Sequence, residues 1–294
     1  MRSLLFVPGD SRKKLDKALT SGADVLLIDL EDSVSLEAKE EARQTTATFL
    51  KERSKGTDRP RLYVRVNGLT TGLIDADLDG VMPAAPDGIV LPKTMGGPDV
   101  SHLGAKLAVR EAEFGLEDGI TRILAIGTEN AAGVFALGTF AGASHRLMAI
   151  TWGGEDLSAD LGAETNRDET GTYTDPYRIA RSLTLLGAAA AGVDAVDSVF
   201  TNFRDMAGLE TECRTARRDG FVAKMAIHPA QVPVINEAFT PSPDAIEQAQ
   251  AVIDAFKANP GAGVVGVNGE MLDRPHLRRA ERLLTRSAMD RGPK

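Results

Sequence analysis

Hydrophobic positions along this chain fall into two alternating patterns. Short, nearly unbroken apolar runs occur at Ser3–Val7, Val25–Leu30, Leu62–Val66, Gly88–Leu91, Arg122–Ile126, Leu147–Trp152, Ala195–Phe200 and Ala223–Ile227. A strand buried on both faces reads as such a run, because neither side-chain direction meets water. Between the runs lie longer segments with helical spacing, among them Arg12–Thr20, Glu37–Arg53, Val100–Phe114 and Tyr177–Ala191. Eight strand–helix units in about 240 residues predict an α/β fold, a (β/α)8 TIM barrel, with a doubly wound open sheet as its rival.

The rhythm breaks near Pro241. Thr240-Pro241-Ser242-Pro243 reads as a linker, so residues 1–240 form the expected catalytic barrel and residues 241–294 a C-terminal extension. Asp244 is placed to cap a helix reaching Lys257, which Asn259-Pro260-Gly261 ends. A Gly/Val-rich stretch follows, then an arginine-rich helix over about His276–Ala288. Such an appendage is expected to act as a helical lid that covers a neighbouring active site. Gly261-Ala262-Gly263-Val264-Val265-Gly266 has dinucleotide-binding spacing, yet a helix and a proline precede it where that motif needs a strand. Nicotinamide or flavin binding is therefore set aside.

Composition narrows the function. The 294 residues are 43% hydrophobic and 26% charged, enough to bury a core without disulfides or metals as staples. A net charge of −8 argues against a nucleic-acid partner, since a phosphate backbone is bound by a basic surface. The single cysteine, Cys213, has no partner for an intramolecular disulfide and sits beside Glu210 and Glu212, which disfavour a reactive thiolate. Leu4-Leu5-Phe6-Val7 is too short for a signal-peptide core, and no stretch approaches the roughly 18 apolar residues of a membrane span. A cytoplasmic protein without a membrane partner is expected.

In a barrel the reacting groups come from the carboxyl ends of the strands. Those ends present Pro8-Gly9, Glu31-Asp32, Arg65 with Asn67, Pro92-Lys93, Glu129, Gly153-Gly154-Glu155-Asp156 and His228-Pro229. Polar groups thus converge on one rim.

The ordered set Arg2-Ser3-Leu4-Leu5-Phe6-Val7-Pro8-Gly9, Leu30-Glu31-Asp32-Ser33-Val34, Arg65-Val66-Asn67, Leu91-Pro92-Lys93, Glu129, Gly154-Glu155-Asp156-Leu157 and Asn268-Gly269-Glu270-Met271-Leu272-Asp273 resembles the HpcH/HpaI aldolase and citrate lyase β-subunit family, over essentially the whole chain. By these motifs the nearest members are lyases of citryl-CoA, malyl-CoA, methylmalyl-CoA and citramalyl-CoA. The resemblance implies Mg²⁺, with Mn²⁺ as a substitute, held by Glu129 and Asp156, and a coenzyme A thioester as substrate. It implies that Arg65 grips a 2-oxo acid, that the loop carrying Arg12 and Lys17 lies beside the nucleotide, and that Asp273 reaches the barrel mouth of an adjacent subunit. A homo-oligomer, trimer or hexamer, goes with that arrangement.

Residue chemistry agrees with parts of this. Magnesium sites that handle substrate draw one or two carboxylates from the protein, and a guanidinium fork suits a carboxylate better than an ammonium does. Asp32, with Glu31 and Glu155, is a further ligand or an orienter of bound water, and Lys93 is a partner of the acidic cluster placed to meet ligand. Structural roles stay open: Glu129 and Asp156 satisfied by Arg or Lys, Arg65 bridging Glu31 or Asp32, His228 as a fixed donor instead of a base, Asp273 as a helix cap. The expected reaction is Claisen-type cleavage of a 3-hydroxyacyl-CoA into acetyl-CoA or propionyl-CoA and a 2-oxo acid, or the reverse. An aldolase on free 4-hydroxy-2-oxo acids, a malyl-CoA thioesterase and a non-autonomous subunit of a citrate lyase complex are the alternatives.

Overall fold

The computed structural model describes residues 1–53, 56 and 59–290, with backbone only over 288–290. The apolar runs form strands β1 (Ser3–Pro8), β2 (Val25–Asp29), β3 (Arg61–Arg65), β4 (Gly88–Leu91), β5 (Arg122–Ile126), β6 (Leu147–Thr151), β7 (Asp194–Asp197) and β8 (Ala223–Ala226). All pair in parallel, and β8 returns to β1 through Ser3↔Lys224, Leu4↔Met225 and Leu5↔Ala226, closing the barrel. Closure removes the sheet edges that the doubly wound rival would keep. Several runs overshoot their strands: Leu30, Trp152 and Phe200 are buried beyond the last ladder residue. Hydrophobicity reports burial, and burial continues into the loops that roof the barrel.

Helices α1 (Arg12–Ala18), α2 (Lys39–Arg53), α3 (Ile74–Val81), α4 (Gly97–Glu113), α5 (Ala131–Ala136), α6 (Gly154–Leu161), α7 (Asp175–Ala191), α8 (Met206–Asp219) and α9 (Gln231–Phe239) accompany the strands. Their faces follow the expected period: α7 buries Tyr177, Ala180, Thr184, Gly187 and Ala188. Asn130 starts α5 by accepting from the Gly133 N–H at 2.7 Å, and Asp205 starts α8 by accepting from the Gly208 N–H at 2.9 Å.

Between β7, β8 and their helices lies a fully buried ion pair. Lys224 donates to Asp197 Oδ2 at 2.8 Å and to Glu212 Oε1 at 2.7 Å, while Asp197 Oδ1 accepts from the Trp152 indole at 2.8 Å. Burial alone would push the Asp197 carboxyl up; Lys224 and Arg181 outweigh it and hold it below the ordinary range.

Residues 2–238 form one compact unit and residues 239–294 a second. The second contains α10 (Pro243–Ala258), β9 (Val264–Val267), β10 (Glu270–Asp273) and α11 (Arg274–Asp290), packed around Ala249, Val252, Phe256, Val265, Leu272 and Ala280. Two expectations are corrected here. The cap of α10 is Ser242, whose hydroxyl accepts from the Ala245 N–H at 3.2 Å, and not Asp244; Pro243 fills the first helical position, which puts the cap two residues before the expected one. The arginine-rich helix begins at Arg274, two residues before His276. The Gly/Val-rich stretch is the first half of an antiparallel hairpin, so Gly266 pairs with Met271 and no helix follows it as a dinucleotide motif requires. Asn268 at φ 52° and Gly269 at φ 85° make its two-residue turn, a conformation that Asn-Gly adopts readily and most residues do not. Among the described residues no helix is long and apolar enough to cross a membrane.

Candidate active site

Strands β2 and β3 end in register, with Asp29 opposite Arg65. Arg65 Nε and Nη2 donate to the two Asp29 oxygens, each at 2.7 Å, and the guanidinium lies over Phe6 at 4.8 Å. Nη1 stands 3.0 Å from Glu31 Oε2 and 3.6 Å from Asp32 Oδ2. The fork that the sequence assigns to a substrate carboxylate is therefore taken by Asp29, and Nη1 is the nitrogen turned toward the acidic loop. Burial pushes the Asp29 carboxyl up, but the Arg65 bonds outweigh it and hold it below the ordinary range. Sequence reasoning passed over Asp29 because it closes an apolar run. The usable signal was its isolation in Val25-Leu26-Leu27-Ile28-Asp29-Leu30, since a carboxylate buried in such a run needs a partner.

The Glu31-Asp32 turn is pinned from beneath. Asp29 accepts from the Glu31 N–H at 2.9 Å and the Ser33 N–H at 3.1 Å, while Lys39 of α2 donates to the Leu30 and Glu31 carbonyls at 2.7 Å each. Lys39 is a second residue the motifs did not mark. Burial keeps the Glu31 carboxyl above its usual range despite Arg65 and Lys93, and its Oε2 is buried without a hydrogen bond, Arg65 Nη1 being close but misaligned.

Lys93 follows β4 with φ at 53°, a left-handed conformation uncommon for a residue with a side chain. Glu129, after β5, stabilises it by accepting from the Lys93 backbone N–H at 2.5 Å. The Lys93 ammonium is 2.5 Å from Glu31 Oε1, 3.2 Å from Asp32 Oδ1 and 3.5 Å from Asp156 Oδ1. Burial opposes its charge, yet Glu31 leads a set of carboxylates that raises its pKa above an ordinary lysine's. Glu129 is 4% exposed, and burial, aided by Asp156 and Glu31, pushes its carboxyl up to about 8 against the Lys93 N–H. Asp156 lies in the first turn of α6, where helix-end amides favour a carboxylate. Gly153 lets the two acids approach: a Cβ there would stand 2.7 Å from Glu129 Cγ.

The remaining candidates are placed otherwise. Glu155 turns aside to accept from Asn166 at 2.8 Å. Arg12 is engaged by Asp16 at 2.9 Å and Glu52 at 2.5 Å, and Lys17 is exposed in the last turn of α1. Asn67 is buried and donates to Asp77 and the Leu30 carbonyl. His228 Nδ1 accepts from the Ala230 N–H at 3.1 Å and its ring stacks on Phe203, so the expected fixed donor is an acceptor at that nitrogen. Cys213 is buried, and burial foremost pushes its thiol up to about 12. In the second unit, Asp273 ends β10 with its carboxylate 2.6 Å from His276 Nδ1.

One rim of the barrel thus gathers Glu31, Asp32, Glu129 and Asp156 around one ammonium and one guanidinium nitrogen. All the anionic donors are hard oxygens, so the set suits a hard divalent cation together with an oxygen-rich acid.

Known proteins share this frame. The HpcH/HpaI aldolase/citrate lyase family model matches residues 2–229. The chain is 35% identical over 287 residues to the citrate lyase subunit beta of Leuconostoc mesenteroides subsp. cremoris, covering 96% of this chain and 92% of that one. It is 34% identical over 294 residues to a mitochondrial citramalyl-CoA lyase of Mus musculus, covering 97% and 85%. Among solved structures, the protein CitE from Mycobacterium tuberculosis, in complex with magnesium, acetoacetate and coenzyme A, superposes with a TM-score of 0.76 at 32% identity, covering 98% of each chain. With its closed parallel barrel, its acidic rim and these likenesses along nearly its whole length, the chain belongs to the HpcH/HpaI aldolase/citrate lyase family.

Proposed function

We propose that this chain is a magnesium-dependent carbon–carbon lyase that splits a 3-hydroxyacyl-CoA, of the citramalyl-, malyl- or citryl-CoA class, into a short acyl-CoA and a 2-oxo acid, and joins them in reverse. The observation that carries this reading is the convergence of Glu31, Asp32, Glu129 and Asp156 with Lys93 and Arg65 at the carboxyl ends of β2 to β6. Magnesium and coenzyme A in the CitE complex, and the named activities of the two curated relatives, support it.

The residues fit the metal. Glu129 and Asp156 are the ligands we assign, brought together by the close approach at Gly153, and the buried Glu31 Oε2 without a hydrogen bond leaves a hard-oxygen acceptor beside them. Magnesium sites that handle substrate draw one or two carboxylates from the protein and the rest of their oxygens from water and substrate. When bound, magnesium supplies Lewis-acid polarisation of the keto oxygen of the 2-oxo acid.

The chain's own groups do the rest. Arg65, its plane fixed by Asp29, offers Nη1 to the carboxylate of the 2-oxo acid. Asp32 and Lys93 set the charge around the reacting oxygen. Asp273 of a neighbouring subunit takes a proton from the acetyl carbon in condensation and returns it in cleavage. Lys17 is the cation of α1 assigned to the nucleotide phosphates; Arg12 is held by Asp16 and Glu52 and has to leave them to join it.

The test is mass spectrometry of products from a mixed panel of citramalyl-, malyl- and citryl-CoA and free 4-hydroxy-2-oxo acids, with Mg²⁺ or with EDTA. Acetyl-CoA plus a 2-oxo acid is expected with Mg²⁺ alone. Cleavage of the free acids only would make the protein an aldolase, and release of free CoA a thioesterase. Activity that appears only with added partner proteins would make it a subunit of a larger complex.

A further inference from the structure

The second unit holds a carboxylate–imidazole pair that no motif marks. Leu272 and Val265 face the core of the hairpin, whereas Met271, at 77% exposure, and Asp273 lie on its opposite, outward face. Asp273 ends β10, α11 begins at once, and Pro275 fixes the backbone of its first turn. That turn brings the His276 ring back onto Asp273, with Nδ1 2.6 Å from Oδ1. At that separation a carboxylate oxygen and a ring nitrogen share a hydrogen, and the tautomer with Nδ1–H donating to the carboxylate is the one we assign. The competing geometry, Nδ1 accepting from the Asp273 N–H, is long at 3.3 Å. A simple cap would direct the aspartate oxygen to a backbone N–H of the first turn. Among the described residues, the hydrogen bond of the Asp273 carboxylate runs to the ring instead.

His276 lines a cleft of about 200 Å³ with Glu270, Leu272, Arg279 and Leu283, and α10 closes it with uncharged residues such as Gln248. Glu270 and Arg279 are thus the charged groups that share the cleft with it.

We propose that His276 is a positioning residue for Asp273: its ring Nδ1 fixes one carboxylate oxygen, leaving the other oxygen to exchange the proton with the acetyl carbon. This rests on the reading of Asp273 as the proton carrier. In condensation the proton passes from the methyl carbon to Asp273, and the resulting enolate carbon bonds the keto carbon of the 2-oxo acid as the C=O pair moves onto oxygen. That alkoxide takes a proton from solvent to become the product hydroxyl, and Asp273 releases its proton to solvent; cleavage runs the same steps in reverse.

The experiment uses the full chain with acetyl-CoA, pyruvate and Mg²⁺ in the condensation direction, comparing His276→Phe, His276→Asn and Asp273→Asn. His276→Phe is expected to lower kcat by roughly 10- to 100-fold with KM unchanged, as loss of an orienting partner does elsewhere. His276→Asn, which retains a side-chain donor, should recover part of that loss. Wild-type kcat in His276→Phe overturns the proposal while leaving Asp273 in place. So does a kcat loss that merely tracks a lower melting temperature and is not relieved in His276→Asn, because that is a helix-start effect. Full activity in Asp273→Asn instead removes the proton carrier itself, a separate failure that the same series identifies.

Discussion

Arg65 shares its charge among three carboxylates, but only Asp29 meets it on two atoms. A lysine in its place puts one point charge where a planar fork now spans Asp29 and still turns Nη1 toward the mouth. Arg65→Lys should therefore fold, and its KM for pyruvate in condensation should rise about 10-fold or more, a loss of at least about 1.4 kcal/mol of binding. Steady-state kinetics check it; an unchanged KM would mean that Arg65 serves Asp29 alone. Lys93 is a different kind of residue. Its φ of 53° persists because Glu129 holds its N–H, so backbone and acidic rim stabilise each other.

Among the elements, the turn from β6 into α6 decides the metal geometry. Gly153 is extended, with φ at −122°, so glycine is needed there for space and not for its conformational freedom. Gly153→Ala should push Glu129 aside and weaken Mg²⁺ binding by roughly 10-fold or more, as displaced ligands do. Isothermal titration measures it, and unaltered affinity would show that Glu129 is not a ligand. The pair between β7 and β8 governs stability instead. Asp197 titrates lower in the folded chain than its ordinary value near 3.9, so its contribution is present above about pH 4 and lost as pH falls below it. Asp197→Asn leaves Lys224 buried against one carboxylate in place of two and should cost about 3–5 kcal/mol at neutral pH. Urea melts should also show a shallower acid decline for the variant; an identical decline would assign acid sensitivity to other carboxylates.

For the whole molecule, the proposed neighbour-supplied Asp273 makes activity a property of an assembly. Glu129→Gln and Asp273→Asn should each be inactive, and mixing them under conditions that exchange subunits should restore a fraction of wild-type turnover, because some interfaces then pair an intact rim with an intact tail. Mass spectrometry verifies the exchange. A mixture that stays dead after verified exchange would place Asp273 in its own chain's site, or leave it as a helix start. EDTA should abolish turnover and Mg²⁺ or Mn²⁺ restore it, since the rim offers hard oxygens without thiolate or clustered imidazole; turnover in metal-free buffer would exclude the proposed metal.

By itself the sequence determined the strand count, the closed parallel barrel and the rim on which Glu31, Asp32, Arg65, Lys93, Glu129 and Asp156 meet. These follow from local hydrophobic period and from the rule that strand ends face one side of a barrel. The Asn268-Gly269 turn was legible too, from the left-handed preference of that pair, although the Gly/Val-rich stretch before it was assigned no structure. Only the tertiary structure decided who pairs with whom. Asp29 takes the Arg65 fork because β2 and β3 end in the same register, a relation between residues 36 positions apart that no local pattern encodes. Lys39 supports the Glu31 turn, Arg12 turns to Asp16 and Glu52, and Glu155 leaves the cluster for Asn166, each because packing sets which partner is in reach. Residue type states what a side chain is able to bind; distance and burial, which only the folded chain supplies, select what it does bind.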